Sequence, residues 1–416
     1  MTRGRARRVW SRSSVAVVAA LLGCGPGEPP SDDPRDWPVP AGRWVPRISE
    51  PRWTVPGPGL PADVVVQASN NNLDLDLFDG RRFLAFRTAP QHFASSATRL
   101  YVVSSADDGE NWQKELEVAL GADVREPRFL VMGGVLSLFY FEAGTEFFTF
   151  TPKRIWRTER RGLGDWAPPE VWRERAGEVL WDLKVRGGRA YLGTYEGVRY
   201  TTGETAIEVG LGVSDDGRTF APIDPAKPVL YTGGVSEIAI EFSDAGDMWI
   251  VTRNEDGDAS GFGSHVCSAP AAALSSWSCP SRSDPERYDS PELIRHGDTF
   301  YVIARRDLGG PYDEGLDTLS LGDRRTRYQL AYWQRPKRTT LYRVDTEAKR
   351  LVPVLDLPSA GDTAYPSVRR TGRDTFLVAN YTSPPDDPDR SWVDGQTAAD
   401  GTRIYVVELT FVPEAP

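Results

Sequence analysis

The chain has 416 residues, a formal net charge of −10, three Cys and three His. Its 26% charged and 40% hydrophobic residues exclude a wholly disordered chain. The acidic balance argues against a nucleic-acid partner held by bulk charge. So few Cys and His exclude a rich metal site, and no phosphate loop or zinc spacing occurs, so no cofactor is predicted. The 39 Gly, 33 Pro, 13 Trp and 15 Tyr predict many short strands joined by turns.

Residues 1–23 have the pattern of an export signal. Five arginines precede an apolar run at 15–22, which is too short to span a membrane as a mature helix. Leu21-Leu22-Gly23-Cys24 resembles the bacterial lipobox. The resemblance implies that Cys24 is acylated and that the mature protein is anchored in the cell envelope, at the outer membrane or facing the periplasm. The alternative is an ordinary secretory signal with a chance cysteine.

A proline-rich tether follows, and we place it at residues 24–61. It contains eleven prolines and little apolar periodicity, which is typical of an extended linker. Trp37, Trp44 and Trp53 indicate that its later part packs against the domain that follows. The remaining residues, 62–416, are predicted to form one domain.

Cys267 and Cys279 are twelve residues apart in the exported part of the chain. An exported compartment permits disulfides. The spacing fits two neighbouring antiparallel strands at 264–268 and 276–281, which favours a structural bridge. Two free thiols are the alternative.

A sixfold repeat organises the domain. Six segments share a strand, a glycine turn and a second strand with apolar residues at alternate positions. The ends of the second strands lie 53, 55, 58, 52 and 75 residues apart. The pattern predicts an all-β, six-bladed β-propeller of four-stranded antiparallel blades. An insertion at about 307–337 explains the long last interval, and a strand near 62–68 is expected to complete the sixth blade. No stripe of helical period and length is recognised.

Two turns of this repeat carry a family resemblance. Ser105 to Trp112 matches the Asp-box S-x-D-x-G-x-x-W, and Val213 to Phe220 is a weaker copy. The Asp-box resembles that of sialidases (neuraminidases), where the turn is structural. We therefore expect Asp107 and Asp215 to hold turns and to take no part in catalysis.

Functional groups of a propeller are expected where first strands begin and second strands end, since both registers emerge on one face. The second-strand ends include three arginines. The candidate substrate-binding residues at the two registers are Arg87, Arg125, Glu126, Arg128, Asp182, Arg253, Asp289 and Arg305. Converging arginines favour an anionic glycan. Two alternatives remain: a solvated polar rim, and a structural salt-bridge cluster of Arg125 and Arg128 with Glu126.

The resemblance to sialidases also implies catalytic roles. Glu237 and Arg253 resemble the Glu and Arg of the family's fourth blade, and Tyr365 resembles the nucleophile of its sixth blade. By that resemblance Tyr365 attacks the sugar and Glu237 raises its reactivity. The alternatives are that Tyr365 packs in a tyrosine-rich strand and that Glu237 merely pairs with Arg253.

Two family residues lack a counterpart. Asn70–Asn72 stands in place of the blade-one arginine, and no carboxylate lies between Arg87 and the Asp-box. His92, Glu126 or Asp182 could supply the missing acid/base. The sequence thus predicts a monomeric, sialidase-like retaining glycoside hydrolase that acts on an acidic or neutral glycan and meets the membrane only through its anchor. The alternative is a non-catalytic glycan- or protein-binding propeller.

Overall fold

Alternating apolar and polar residues give one antiparallel sheet from each of six consecutive segments. The computed structural model describes Met1 and residues 38–147, 149–197 and 206–414. Its six sheets surround a central channel as the blades of a β-propeller. The predicted fold class, an all-β six-bladed propeller with four-stranded antiparallel blades, is confirmed.

The first three blades run from the innermost strand outward. The strands of blade 1 are Ser69–Phe78, Arg81–Ala89, Arg99–Ser105 and Gln113–Val118. Those of blade 2 are Val124–Met132, Val135–Glu142, Arg154–Gly162 and the short outer strands Asp165–Trp166 and Glu170–Arg173. Those of blade 3 are Glu178–Arg186, Arg189–Glu196, Ile207–Ser214 and the outer strands Ala221–Pro222 and Tyr231–Gly233.

The other three blades repeat this order. The strands of blade 4 are Val235–Phe242, Met248–Asp258, Gly261–Gly263 and Val266–Ala269. Those of blade 5 are Asp289–His296, Thr299–Asp307, Lys337–Asp345 and Arg350–Leu357. Those of blade 6 are Ser367–Arg370, Thr375–Thr382 and Arg403–Pro413, completed by Trp44–Ile48 and Arg52–Val55 from the N-terminal side.

The ring closes differently from the prediction. Trp44–Ile48 and Arg52–Val55 both pair antiparallel with Arg403–Pro413. The expectation that residues 62–68 supply this strand is wrong, and the segment assigned to the tether contributes two strands to the propeller. Its tryptophans show why: Trp53 packs edge-on against Tyr405, and Trp44 against His296. Covering the long last strand removes an open sheet edge.

The core lies between neighbouring blades, where apolar side chains from facing sheets interdigitate. Aromatic contacts recur there, for example Phe83 with Phe129 between blades 1 and 2. In blade 4 the structure joins Cys267 to Cys279 by a disulfide with an S–S distance of 2.04 Å. Beside it, Ser268 and Ser278 form an antiparallel bridge, so the two cysteines come from adjacent extended segments.

The insertion between the second and third strands of blade 5 contains a helix that the sequence analysis missed. Helix α1, Leu321–Trp333, begins after Ser320, whose hydroxyl accepts a hydrogen bond from the N–H of Asp323. Such an N-cap stabilises a helix start. A short helix α2, Trp392–Thr397, precedes the last strand. The two helices meet where Tyr332 of α1 packs edge-on against Trp392 of α2.

The Asp-box turns are structural, as expected, but the second one is held by a different residue. In the first turn Asp107 accepts hydrogen bonds from the N–H of Asn111 at 2.9 Å and the hydroxyl of Ser105 at 2.7 Å. In the second turn Asp216 accepts from two backbone N–H groups at 2.7 Å each. Asp215 is instead paired with Arg189 at 2.6 Å on the surface. The second turn is one residue shorter, which moves the capping role by one position.

The predicted signal, Cys24 and the first part of the tether lie outside the described residues. Among the helices of the described part, none is long and apolar enough to cross a membrane.

Candidate functional site

Bulges in five of the six inner strands lie at the mouth of the central channel. The register shifts at the start of the innermost strands of blades 1 to 5. Four of these bulges, and the start of blade 6, place a non-glycine residue at positive φ. The five residues are Asn72, Glu126, Glu237, Ser290 and Ala364. Bulges turn side chains out of the sheet, and unusual backbone angles recur at functional sites.

The central cavity lies at this mouth and has a volume of about 90 Å³. It is lined by residues of the bulges, of the second strands, of loops and of helix α2. The lining residues are Asn72, His92, Arg125, Glu126, Phe150, Trp181, Tyr195, Glu237, Arg253, Ser290, Arg305, Ala364, Tyr365, Tyr381 and Trp392. The inner strands begin at this cavity, and we call this end of the channel the upper face.

Tyr365 is buried in the wall of the central cavity. Its ring lies under the guanidinium of Arg128, 4.7 Å from the ring centre, and edge-on to Trp181. Its hydroxyl has no hydrogen-bond partner among the described residues. Burial raises the pKa of Tyr365 far above its ordinary value; the charge of Arg128 opposes this effect and that of Glu126 reinforces it. Glu126 lines the same cavity as Tyr365.

Glu237 and Arg253 are brought together, as the resemblance implies. Arg253 Nη1 lies 2.6 Å from Glu237 Oε1, and Glu237 Oε2 accepts the backbone N–H of Ser290 at 2.8 Å. Burial raises the pKa of Glu237 above its ordinary range, against the charge of Arg253. Both carboxylate oxygens are therefore engaged away from Tyr365. Glu237 therefore holds Arg253 and the Ser290 backbone in the cavity wall and makes no hydrogen bond to Tyr365.

Asp289 lies behind the cavity and holds Arg305. Its Oδ2 accepts from Arg305 at 3.0 Å and from the hydroxyl of Tyr332 in α1 at 2.9 Å. Its Oδ1 accepts from Arg287 at 2.6 Å. Burial opposes ionisation of Asp289, but Arg287 and Arg253 hold its pKa well below the ordinary range. Asp289 does not line the central cavity.

His92 comes from the loop after the second strand of blade 1 and reaches the cavity. Its Nδ1 lies 2.7 Å from Asp362 Oδ2. Asp362 also accepts hydrogen bonds from the Tyr381 hydroxyl at 2.9 Å and the Trp392 indole N–H at 3.0 Å. Burial lowers the pKa of His92 below its ordinary value, against the opposing charge of Asp362. A neutral His92 that donates through Nδ1 carries its lone pair on Nε2.

Comparison with solved structures identifies the architecture. The chain superposes on a protein of unknown function from Dyadobacter fermentans with a TM-score of 0.56, at 14% identity over 84% of this chain and 98% of that one. It superposes on Trypanosoma rangeli sialidase in complex with sialic acid with a TM-score of 0.53, at 14% identity over 82% of this chain and 54% of that one. The fold is that of the sialidases. No family model and no curated protein matches the sequence.

The likeness to the T. rangeli sialidase is one of fold. Another structure of that enzyme aligns with a TM-score of 0.54 at 12% identity, over 87% of this chain and 59% of that one. The chain thus spans little more than half the length of these sialidase chains.

Within the sialidase fold, the predicted substrate-binding residues separate into two groups. Arg125, Glu126, Arg253 and Arg305 line the central cavity. The others lie outside its lining, and they are Arg87, Arg128, Asp182 and Asp289. Arg87 is fully buried and bound to Asp123 at 2.9 Å and to the carbonyl of Phe93 at 2.9 Å. Asp182 accepts the N–H of Ile240 at 2.8 Å, which ties blade 3 to blade 4.

A larger side cavity of about 310 Å³ adjoins the central one. His92, Arg125, Phe150 and Trp392 line both. Arg325, Gln329, Leu330 and Trp333 of α1 form its opposite wall. No role was predicted from the sequence for this helix or for Trp392. The spacing Ser320-x-x-Asp323, with Tyr328 and Tyr332 four residues apart, was the available signal.

The described residues contain no cluster of three or more His, Cys, Asp or Glu side chains that could hold a metal ion.

Proposed function

We propose that the protein is a retaining glycoside hydrolase acting on glycans in the bacterial cell envelope. The observation that carries the proposal is the convergence of three kinds of group in the central cavity. They are a buried phenol (Tyr365), a carboxylate whose charge acts on it (Glu126) and an imidazole oriented by a carboxylate (His92 with Asp362). Nucleophile, base and acid are the groups that a two-step glycosyl transfer needs.

In the first step the Tyr365 oxygen bonds to the anomeric carbon while the bond from that carbon to the leaving oxygen breaks. The leaving oxygen takes a proton from Nε2 of protonated His92. Glu126 takes the proton of the Tyr365 hydroxyl. Glu126 replaces Glu237 in this role, because both oxygens of Glu237 are bound to Arg253 and to Ser290. A carboxylate nucleophile would place a second negative charge beside Glu126, whereas a phenol reacts from its neutral form.

In the second step a water molecule bonds to the anomeric carbon and gives a proton to His92 Nε2, which the first step left neutral. The bond to the Tyr365 oxygen breaks, and Glu126 returns the proton to the phenolate. The sum is hydrolysis of a glycoside to a sugar and an alcohol. Two displacements on opposite sides of the ring retain the configuration of the anomeric carbon.

Two measurements test the proposal: trapping of the glycosyl-enzyme intermediate, and the anomeric configuration of the released sugar. A fluorinated glycosyl fluoride is expected to add one sugar mass to Tyr365, and NMR of a hydrolysed aryl glycoside is expected to show the retained anomer first. Tyr365→Phe should abolish both. Tyr191→Phe is a matched control, because Tyr191 packs against Phe242 away from the cavity. Unchanged hydrolysis by Tyr365→Phe would refute the assignment.

One observation favours a second candidate, a non-catalytic glycan-binding propeller. The Tyr365 hydroxyl has no hydrogen bond to any described carboxylate. A phenol that is not held by a base remains protonated and unreactive. Binding to a glycan array without product release on prolonged incubation would support this candidate over the hydrolase.

We also propose that the protein is a monomer anchored through a lipid on Cys24. Pro38 and Val39 line a cavity at the end of the channel where the inner strands finish, which we call the lower face. The tether thus joins the propeller on the face opposite the central cavity. An anchor at Cys24 would leave the central cavity open to glycans away from the membrane.

A further inference from the structure

The three arginines that line the central cavity, Arg125, Arg253 and Arg305, are each paired with a carboxylate of the protein. Resting on the glycan-active role proposed above, we infer that the central cavity takes an uncharged sugar ring and rejects sugar acids such as uronates and sialic acid. The inference depends on how each arginine is occupied and on which polar atoms remain for a ligand.

Arg253 is held on all three of its nitrogens. Nη1 lies 2.6 Å from Glu237, Nη2 lies 2.7 Å from Glu255, and Nε donates to the hydroxyl of Ser236 at 3.0 Å. Two carboxylates therefore share one guanidinium inside the wall of the cavity. The fork that an arginine would offer to a substrate carboxylate is engaged by the protein.

Arg305 and Arg125 are occupied in the same manner. Arg305 donates to Asp289 at 3.0 Å and to the carbonyls of Thr363 at 2.6 Å and Ala364 at 3.1 Å. Arg125 pairs with Asp123 and donates to the carbonyl of His92 at 2.8 Å. All three arginines of the lining therefore meet carboxylates, and a buried anionic substrate would lack the uncompensated cation that it needs.

Three uncharged polar atoms in the lining remain for a ligand. Asn72 Oδ1, the Trp181 indole N–H and the Tyr365 hydroxyl are buried, and none of them has a hydrogen-bond partner among the described residues. The three residues line the central cavity. Such orphaned groups are costly unless a ligand satisfies them. Sugar hydroxyls both donate and accept, so they match this set, whereas a carboxylate only accepts and would meet the oxygen of Asn72.

The aromatic lining agrees with a neutral ring. Phe150, Trp181 and Trp392 present apolar surface within the same cavity. Arg128 covers Tyr365 from behind, 4.7 Å from its ring centre, and lies outside the lining. Aromatic walls with a few directed polar groups are typical of pockets for uncharged ligands.

The experiment compares sugars that differ only in a carboxylate. The probes are methyl glucoside against methyl glucuronide, methyl galactoside against methyl galacturonide, and methyl sialoside. Binding is measured by calorimetry on the unsubstituted protein, at low and at high salt. We expect a neutral member of a pair to bind at least about 100-fold more tightly than its uronate, because the uronate would bury an unpaired charge. We also expect its affinity to be independent of salt.

Equal or tighter binding of an acid, or no binding of any neutral probe, would overturn the inference. Hydrolysis by the unchanged protein is measured on aryl glycosides of the same sugars, and this separates the two proposals. Neutral binding without hydrolysis would end the hydrolase proposal and leave the inference standing. Hydrolysis that favours sialosides or uronides would support the hydrolase proposal and overturn the inference of a neutral sugar.

Glu255→Gln offers a gain-of-function arm. The amide keeps the shape of the side chain and removes one negative charge from beside Arg253. We expect the uronate-to-neutral ratio of affinities to rise by at least about tenfold, since an opposite charge is worth this much when partly buried. Glu117→Gln is the control, because its partner Arg99 lies on the surface of blade 1. A folded Glu255→Gln variant with an unchanged affinity ratio would contradict the inference. If the variant fails to fold, the sugar pairs measured with the unsubstituted protein decide the question.

Discussion

His92 Nδ1 and Asp362 Oδ2 meet at 2.7 Å and join a loop of blade 1 to the start of blade 6 across the mouth of the channel. The carboxylate is itself fixed by Tyr381 and Trp392, so it holds the imidazole from a fixed position. A carboxylate that fixes the orientation and tautomer of a histidine is a recurring device of general acid–base sites.

Asp362→Asn is expected to lower kcat by about 10²-fold or more while the protein stays folded. The amide keeps hydrogen-bonding capacity toward Tyr381 and Trp392 but no longer fixes Nδ1–H of His92. KM should change little, because Asp362 lies behind the imidazole and does not line the cavity. The measurement is the steady-state kinetics of aryl glycoside hydrolysis.

The matched control is Asp374→Asn. Asp374 holds His296 at 2.9 Å, in the same type of pair but away from the central cavity. This variant should retain full activity. Equal losses in the two variants would mean that Asp362 acts through stability alone, and normal activity of Asp362→Asn would remove His92 from the mechanism.

The pH dependence of kcat/KM should report a pKa for His92 below neutrality. Burial lowers the pKa of His92 below about 6.5, against the charge of Asp362. The first step needs the protonated form, so kcat/KM for alkyl glycosides should fall about tenfold per pH unit above that pKa. Dinitrophenyl glycosides, whose leaving group needs no proton, should lack this limb. A limb above pH 7 for alkyl glycosides would contradict the assignment.

The same pKa affects stability with a definite sign. Because the folded pKa is lower than the unfolded one, the unfolded chain binds more protons between the two values. Stability therefore rises with pH through that window and is lost as pH falls through the folded pKa. His92→Asn should flatten this dependence in denaturant titrations.

The repeat could be read from the sequence because each blade obeys local rules. Alternation over 5–7 residues and a turn of fixed chemistry gave the second strands, and Asp307 and Lys337 bound the blade-five insertion as expected. The ring closure could not be read in this way. Trp44–Ile48 pairs with residues more than 350 positions away. Its proline-rich surroundings are typical of a linker and gave no indication of a strand.

The candidate site was predictable only in part for a similar reason. Glu237 and Arg253 lie in paired antiparallel strands, with Arg253 opposite Ser236, so their contact follows from local register. The neutralisation of Arg253 by Glu255 and of Arg305 by Asp289 depends on which way each side chain turns after the bulge. Strand alternation does not specify that direction, and the arginines therefore suggested an anionic ligand.

The ring closure predicts where the domain can be cut. A chain that starts at residue 38 keeps Trp44–Ile48 and Arg52–Val55, whereas one that starts at residue 62 exposes the backbone of Arg403–Pro413. The shorter chain should lose more than about 3 kcal/mol of unfolding free energy, since it forfeits buried Val55 and a row of hydrogen bonds. Urea titration of the two proteins checks this, and equal midpoints would mean that these strands do not close the ring.

The lipid anchor predicts a partitioning difference that depends on one atom. Cys24→Ser removes the thiol that would be acylated, so the variant should move from the detergent phase to the aqueous phase on phase separation. The double variant Cys267→Ser/Cys279→Ser is the control, because those sulfurs form the blade-four disulfide and should not affect partitioning. Mass spectrometry of the native protein should find acyl chains on Cys24. If the native protein partitions into the aqueous phase and carries no acyl chain, residues 1–23 are an ordinary secretory signal.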